Sequence, residues 1–72
     1  MTIRDLFDQC VEVEGWVKVQ YWESEDYPNI YYEGYGLRST PEKYWDREIR
    51  YMFPFMVTDI EAAICIELCE ED

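Results

Sequence analysis

The reactive side chains of this sequence are almost all carboxylates: 17 Asp and Glu face 6 Lys and Arg, with no histidine, for a formal net charge of −11. Two chemistries suit carboxylates that lack a histidine, the paired acids of glycoside hydrolysis and the coordination of a hard divalent cation. Neither finds its spacing here. The densest cluster, Glu23, Glu25 and Asp26, lacks the glycine and the closing Glu of a calcium loop, and in a chain this acidic such clusters arise by coincidence. It reads as the solvated tip of a hairpin. Nucleophilic catalysis also lacks its parts. There is no Gly-rich phosphate loop and no Gly-x-Ser-x-Gly elbow, and Thr2, Ser24, Ser39, Thr40 and Thr58 fall in caps and turns without a base beside them. Cys10, Cys65 and Cys69 are odd in number, so they cannot close a disulfide framework, and without a histidine Cys65 and Cys69 do not complete a zinc site. Cys10 and Cys65 read as small apolar packing residues and Cys69 as partly exposed, all free thiols of a reducing compartment. The expectation is a protein that is not an enzyme and uses no metal or cofactor.

Binding is the better prospect, because three Trp, seven Tyr and three Phe exceed what one helix on one small sheet can hide. Exposed Trp and Tyr are enriched in protein–protein hot spots, where a rigid ring buries much area at small entropic cost. Rings that stack nucleic-acid bases need a basic groove, and this chain has the opposite sign. Direct binding to nucleic acid is close to excluded, and binding to an anionic membrane surface is excluded on the same grounds. No apolar run approaches the ~20 residues that span a bilayer, and Met1-Thr2-Ile3-Arg4-Asp5 lacks a basic region followed by an apolar signal stretch. A soluble, cytoplasmic protein is expected. Acid and aromatic residues together point to a basic protein surface, such as one built to hold nucleic acid. Duplex DNA carries one charge per ~1.7 Å of its axis, and carboxylates on hairpin tips and strand faces can imitate that rail. The candidate phosphate stand-ins are Glu23, Glu25, Asp26 and Glu33 in the first hairpin and Glu67, Glu70, Glu71 and Asp72 near the other end, with Trp16 and Trp22 as desolvated contacts. Solubility accounts for any one of these acids, but the set exceeds what solubility requires.

The elements that must carry these side chains are few. Residues 1–72 form a single domain, and a chain of 72 residues hides only about 60% of its unfolded surface, which leaves little depth for a water-free cleft. Ile3, Leu6, Phe7 and Cys10 make the apolar stripe of a short helix capped by Thr2, with Asp5 in its first turn. Past Gly15 the period becomes two: Val17, Val19 and Tyr21 share one strand face, and Trp16, Lys18, Gln20 and Trp22 the other. A polar, proline-containing loop over 23–29 leads to a second strand, Ile30 to Tyr35, whose faces are ambiguous although Glu33 marks the odd one as wetter. Thr40 and Pro41 form a helix-start signature for a single turn through Asp46. Ile49, Tyr51 and Phe53 then alternate with Arg50 and Met52 in a third strand that Pro54 ends or places at an edge. After a turn at Thr58-Asp59, the last strand, Ala62 to Leu68, points Ile64, Ile66 and Leu68 inward and Ala63, Cys65 and Glu67 outward. The predicted fold is α+β, an N-terminal helix packed on a four-stranded antiparallel sheet with a short helical turn between strands 2 and 3. Its uncovered face carries Trp16, Trp22, Lys18, Glu33, Arg50 and Glu67.

The opening helix around Ile3-Arg4-Asp5-Leu6, the Tyr31-Tyr32-Glu33-Gly34 hairpin element, the Pro41-Glu42 turn and the closing Ile64-Cys65-Ile66-Glu67-Leu68 strand resemble small acidic proteins of phages and mobile elements of Firmicutes, some of which resemble anti-CRISPR proteins. That resemblance implies an inhibitor acting as a DNA mimic on a basic host protein, a CRISPR effector nuclease or another nucleic-acid-binding protein, with no motif from which a site residue carries over. The alternative is a self-associating structural or assembly protein, in its simplest form a homodimer.

Overall fold

Thr2 opens α1 (Ile3–Asp8) with a complete capping box: its hydroxyl accepts the Asp5 N–H at 3.1 Å, and Asp5 Oδ2 accepts the Thr2 N–H at 2.9 Å. Ile3, Leu6 and Phe7 are buried along the expected stripe. Cys10 is not. The helix stops at Asp8, Cys10 takes a left-handed φ of 61°, and its side chain is exposed. A helix this short is held by its packing rather than by propensity. The computed structural model describes residues 1–22 and 28–70, and among them α1 is the one α-helix. No described helix is long and apolar enough to cross a membrane.

Four strands, β1 (Trp16–Tyr21), β2 (Asn29–Tyr35), β3 (Ile49–Met56) and β4 (Ala62–Leu68), form one sheet in the order β2-β1-β4-β3. The sheet is mixed rather than antiparallel. β1–β2 and β3–β4 are antiparallel hairpins, but β1 and β4 run parallel, Trp16 beside Ala63 through Gln20 beside Glu67. The physical cause is the connection after β2. Its two 3-10 turns, Leu37–Ser39 and Glu42–Tyr44, carry the chain to the far edge, so that β3 lies outermost and β4 returns to the middle alongside β1. Parallel neighbours need such a long crossover. β4 accordingly behaves as a central strand, buried on both sides at Ala63, Cys65, Ile66, Glu67 and Leu68.

Val17, Val19, Ile66 and Leu68 on one face meet Ile3, Leu6 and Phe7 of α1 and Leu37 of the crossover, and these eight side chains are the core. The molecule is 18 Å through its thinnest dimension, two layers deep. Trp45 closes the core edge-on to Phe7 at 4.8 Å, and its indole N–H donates to the Thr40 carbonyl at 2.8 Å. Thr40 does not cap the second turn as expected: Pro41 holds that position, and the buried Thr40 hydroxyl has no hydrogen-bond partner among the described residues. At the open end of the first hairpin the Gly36 N–H donates to the Gly15 carbonyl at 2.8 Å, with φ of 82° and 109° at the two glycines, values that only glycine adopts without strain.

Two bulges decide which way the edge strands face. In β2, Val19 pairs with Tyr32 but Gln20 with Ile30, so Tyr31 is the extra residue. Tyr32, opposite Val19, and the extra Tyr31 both pack against the core, and Tyr31 stacks on Tyr44 with ring centres 4.4 Å apart. In β3, Ile49 pairs with Leu68 and Tyr51 with Glu67, leaving Arg50 extra. Ile49 packs on the core, and Tyr51 and Phe53 turn to the opposite face instead of sharing its side as alternation predicts. Pro54 does not end the strand; it pairs with Ile64 inside β3, which an edge strand tolerates. Trp22 lies just beyond β1.

Ile66 is fully buried at the centre of this core. Ile66→Ala should cost about 2–5 kcal/mol, against a total of roughly 3–5 kcal/mol for a domain of this size. The expected result is a largely unfolded protein by circular dichroism at room temperature; a cooperative, near-native melt would show that the core lies elsewhere.

Candidate interaction surface

Each of the six basic side chains is engaged by its own chain. Arg4 on α1 pairs with Asp46 at 2.7 Å and Glu42 at 3.3 Å and lies over the Trp45 ring, fastening the helix to the crossover. Its guanidinium holds Asp46 below the usual carboxylate range, while the two acids hold Arg4 more firmly charged. Arg38 pairs with Glu12 at 2.6 Å and covers Phe7 at 4.3 Å. Arg47 sits 5.1 Å from the ring centres of both Tyr21 and Tyr31 and donates to the Cys69 carbonyl. Lys18, Lys43 and Arg50 lie over Phe55, Tyr44 and Tyr51 at 5.6, 5.1 and 5.8 Å. The consequence is an unneutralised set of acids. Asp8, Glu14, Glu33, Asp59 and Glu70 are exposed and make no ion pair among the described residues.

The expected contact residues divide into three groups. Glu33 on β2 and Glu70 beyond β4 are exposed, and Trp22 is 39% exposed. Trp16 is half-buried, with Tyr35 edge-on at 5.6 Å, and its buried indole N–H has no hydrogen-bond partner among the described residues. Glu23, Glu25, Asp26 and Glu71, with Asp72, lie outside the described residues. Trp16 and Glu33 do share the sheet face turned away from α1, by their registers with Tyr35 and Lys18.

Glu67 corrects the expectation outright. It lies on that same outer face, yet it is 1% exposed, and among the described residues neither carboxylate oxygen has a hydrogen-bond partner. The cause is its central strand. Gln20 of β1 and Tyr51 of β3 flank it in the ladder, and Gln20 is itself buried. The Tyr51 phenol is pushed above its ordinary value by the approach of its hydroxyl to the Glu67 carboxylate, then by burial and by the Glu67 charge, although the two stop short of full hydrogen-bonding geometry. Next to it on β4, Cys65 is buried, and desolvation raises its thiol despite the opposing charge of Lys18. Glu67 is therefore no contact for a partner; it is a buried charge held at a cost.

The sequence reading missed the apolar exposure of the second hairpin. Tyr51, Met52, Phe53, Met56 and Val57 are exposed along β3 and its turn, Met56 to 60%, and Ile60 at the tip is 96% exposed. A signal was present: residues 49–58 hold no acid, the longest such run in a chain where acids number 17 of 72. The turn itself is well made, with Thr58 Oγ1 accepting the N–H groups of Ile60 at 3.3 Å and Glu61 at 3.1 Å. A shallow cleft of about 380 Å³, whose lining includes Glu12, Glu14, Tyr35 and Arg38, holds no Ser, Thr or Cys, and the described residues include no cluster of metal-ligating side chains. Compared with protein-family models, with curated proteins and with solved structures, the chain matches none.

Two outcomes follow from the buried outer face. Glu67→Leu should raise the stability by about 1–3 kcal/mol at neutral pH, read from the denaturant midpoint, since an unsatisfied buried carboxylate is replaced by an apolar side chain; a lower midpoint would show that the carboxylate is satisfied. In a thiol titration of the folded protein, Cys10 should react first and Cys65 only on unfolding; prompt reaction of all three thiols would contradict the packing around Cys65.

Proposed function

We propose that this chain is a stoichiometric binding protein whose outward acids engage a basic surface of another protein, one that otherwise holds nucleic acid. The observation that carries this reading is the commitment of all six cations to internal contacts, with exposed carboxylates left over on α1, β2, the β3–β4 turn and the C-terminal side of β4. Such a charge distribution speeds encounter with a basic partner and suppresses self-neutralising alternatives. Exposed rings supply short-range contact: Trp22 beyond β1, and Tyr35 beside Trp16 on the outer face. The action is occlusion. A bound copy covers the partner's phosphate-binding side chains, so nucleic acid and this protein compete for one site. In its finer form the partner is a nuclease of host defence, such as a CRISPR effector in the host cytoplasm, as the resemblance to anti-CRISPR proteins implies.

The test is affinity capture of the full chain from a nuclease-treated Firmicutes lysate at low and moderate salt, followed by a competition assay on the recovered protein. A nucleic-acid-binding partner is expected, displaced by added duplex DNA, with affinity falling roughly tenfold or more when Glu14, Glu33 and Glu70 are reversed to Lys. Binding that ignores salt, DNA and the triple reversal would overturn the reading.

A further inference from the structure

We infer that the cleft at the open end of the first hairpin seats an arginine side chain of the basic partner, an inference that rests on the function proposed above and names its anchoring contact. The cleft is built from the chain just before β1 and just after β2. The Gly36 N–H donates to the Gly15 carbonyl at 2.8 Å and the Leu37 N–H to the Val13 carbonyl at 3.4 Å, which holds residues 13–15 against 36–37. The hollow of about 380 Å³ is lined by Glu12, Glu14, Tyr35 and Arg38 together with Val13 and Leu37, and small-ligand sites run from about 300 to 1,000 Å³. Leu37 is fully buried and Val13 packs on the core, so the base of the cleft is fixed. Its mouth is open, because no atom lies within 4 Å of where a Cβ would stand on Gly15 or Gly36.

The molecule itself shows what such a lining holds. In this cleft Arg38 lies between an acid and a ring: its Nε donates to Glu12 at 2.6 Å, and its guanidinium covers Phe7 at 4.3 Å. Glu14 and Tyr35 supply a second acid and a second ring. Glu14 is exposed, Tyr35 is 67% exposed, and no described cation pairs with either, since all six are committed elsewhere. The ring is also held in place. The Tyr32 hydroxyl, 3.1 Å from the carbonyls of both Tyr35 and Gly36, braces the backbone that presents it, and Trp16 stands edge-on to it at 5.6 Å. Gly34 makes room for that brace, because a Cβ there would lie 2.7 Å from the Tyr32 hydroxyl. A guanidinium suits the Glu14 and Tyr35 pair better than an ammonium does. It is planar, stacks on aromatic faces, is more weakly hydrated and presents its donors in a fork that matches a carboxylate. Its methylene stem covers apolar surface, here the Val13 side of the cleft. Surfaces that recognise phosphate are rich in arginine, so a partner that otherwise holds nucleic acid offers this group.

The experiment is an amide chemical-shift titration of the full chain, into the millimolar range, with three end-blocked tripeptides that carry arginine, lysine or citrulline between two glycines. The arginine peptide is expected to saturate and to move the amides of Gly15, Gly36 and Leu37. Lysine should bind severalfold more weakly, and citrulline, which keeps the shape without the charge, most weakly. Glu14→Gln and Tyr35→Leu alter exposed side chains, so both should keep the fold by circular dichroism, and each should weaken the arginine peptide roughly three- to tenfold. Failure to saturate overturns the proposal, as does saturation that both folded variants leave unchanged. Shifts spread over the exposed acids at large, or equal responses to lysine and arginine, report general ionic attraction and overturn it too. The function proposed above is tested apart from this. A DNA-displaced partner captured equally well by Glu14→Gln/Tyr35→Leu leaves that function standing and removes the cleft from it, whereas arginine binding in the cleft with no such partner recovered overturns the competition reading alone.

Discussion

The parallel pairing of β1 with β4 is the constraint on which the rest of the molecule depends. It is the ladder that joins the two hairpins, Trp16 to Ala63 through Gln20 to Glu67. A two-stranded hairpin is marginal in water by itself, and each becomes stable only as part of a wider sheet with an apolar face. That face is sealed by three α1 side chains and Leu37, and the seal is fastened by Arg4 to Asp46 and by Trp45 against Phe7. The exposed ion pairs contribute little energy beyond orientation. The same junction that buries Ile66 on one side also buries Glu67 and Cys65 on the other, so the orphaned carboxylate is a by-product of putting β4 in the centre.

Charge and apolar surface are segregated rather than mixed. The cations are turned onto rings and neighbouring acids of their own chain, which leaves the negative field uncompensated, while β3 and its turn carry exposed apolar side chains without any acid between Ile49 and Thr58. The two surfaces do different physical work. Long-range repulsion between like charges acts over most of the surface, and the exposed apolar side chains lie where acids are absent.

Local signals in the sequence translate well into this fold. The Thr2 and Asp5 cap, the Ile3-Leu6-Phe7 stripe, the Val17 and Val19 alternation and the inward Ile64, Ile66 and Leu68 are set by propensity and period, and the structure places them as the spacing predicts. Non-local features are another matter. The direction in which β4 meets β1 leaves no periodic trace, because a strand reads the same either way. Single-residue bulges at Tyr31 and Arg50 shift parity without changing composition, and so Tyr51 and Phe53 face opposite to the expectation. Glu67 was misread for the same reason: a charged residue in alternation marks a wet face only where the strand is not central. Of the candidate contacts, Glu33, Glu70 and Trp22 are accessible as polarity alone predicts, whereas the bare flank of β3 was legible only as a gap in the distribution of acids.

The long separation between β1 and β4 also governs how the chain reaches this state. The decisive ladder ties Trp16–Gln20 to Ala63–Glu67, so a segment of roughly two-thirds of the 72 residues must be looped before the first stabilising contact between hairpins forms. During synthesis β1 is made early and β4 last, and until β4 emerges the inner edge of β1 is open to any passing strand. An abundant negative charge then serves a second purpose, keeping unfinished chains apart while the sheet waits for its closing member.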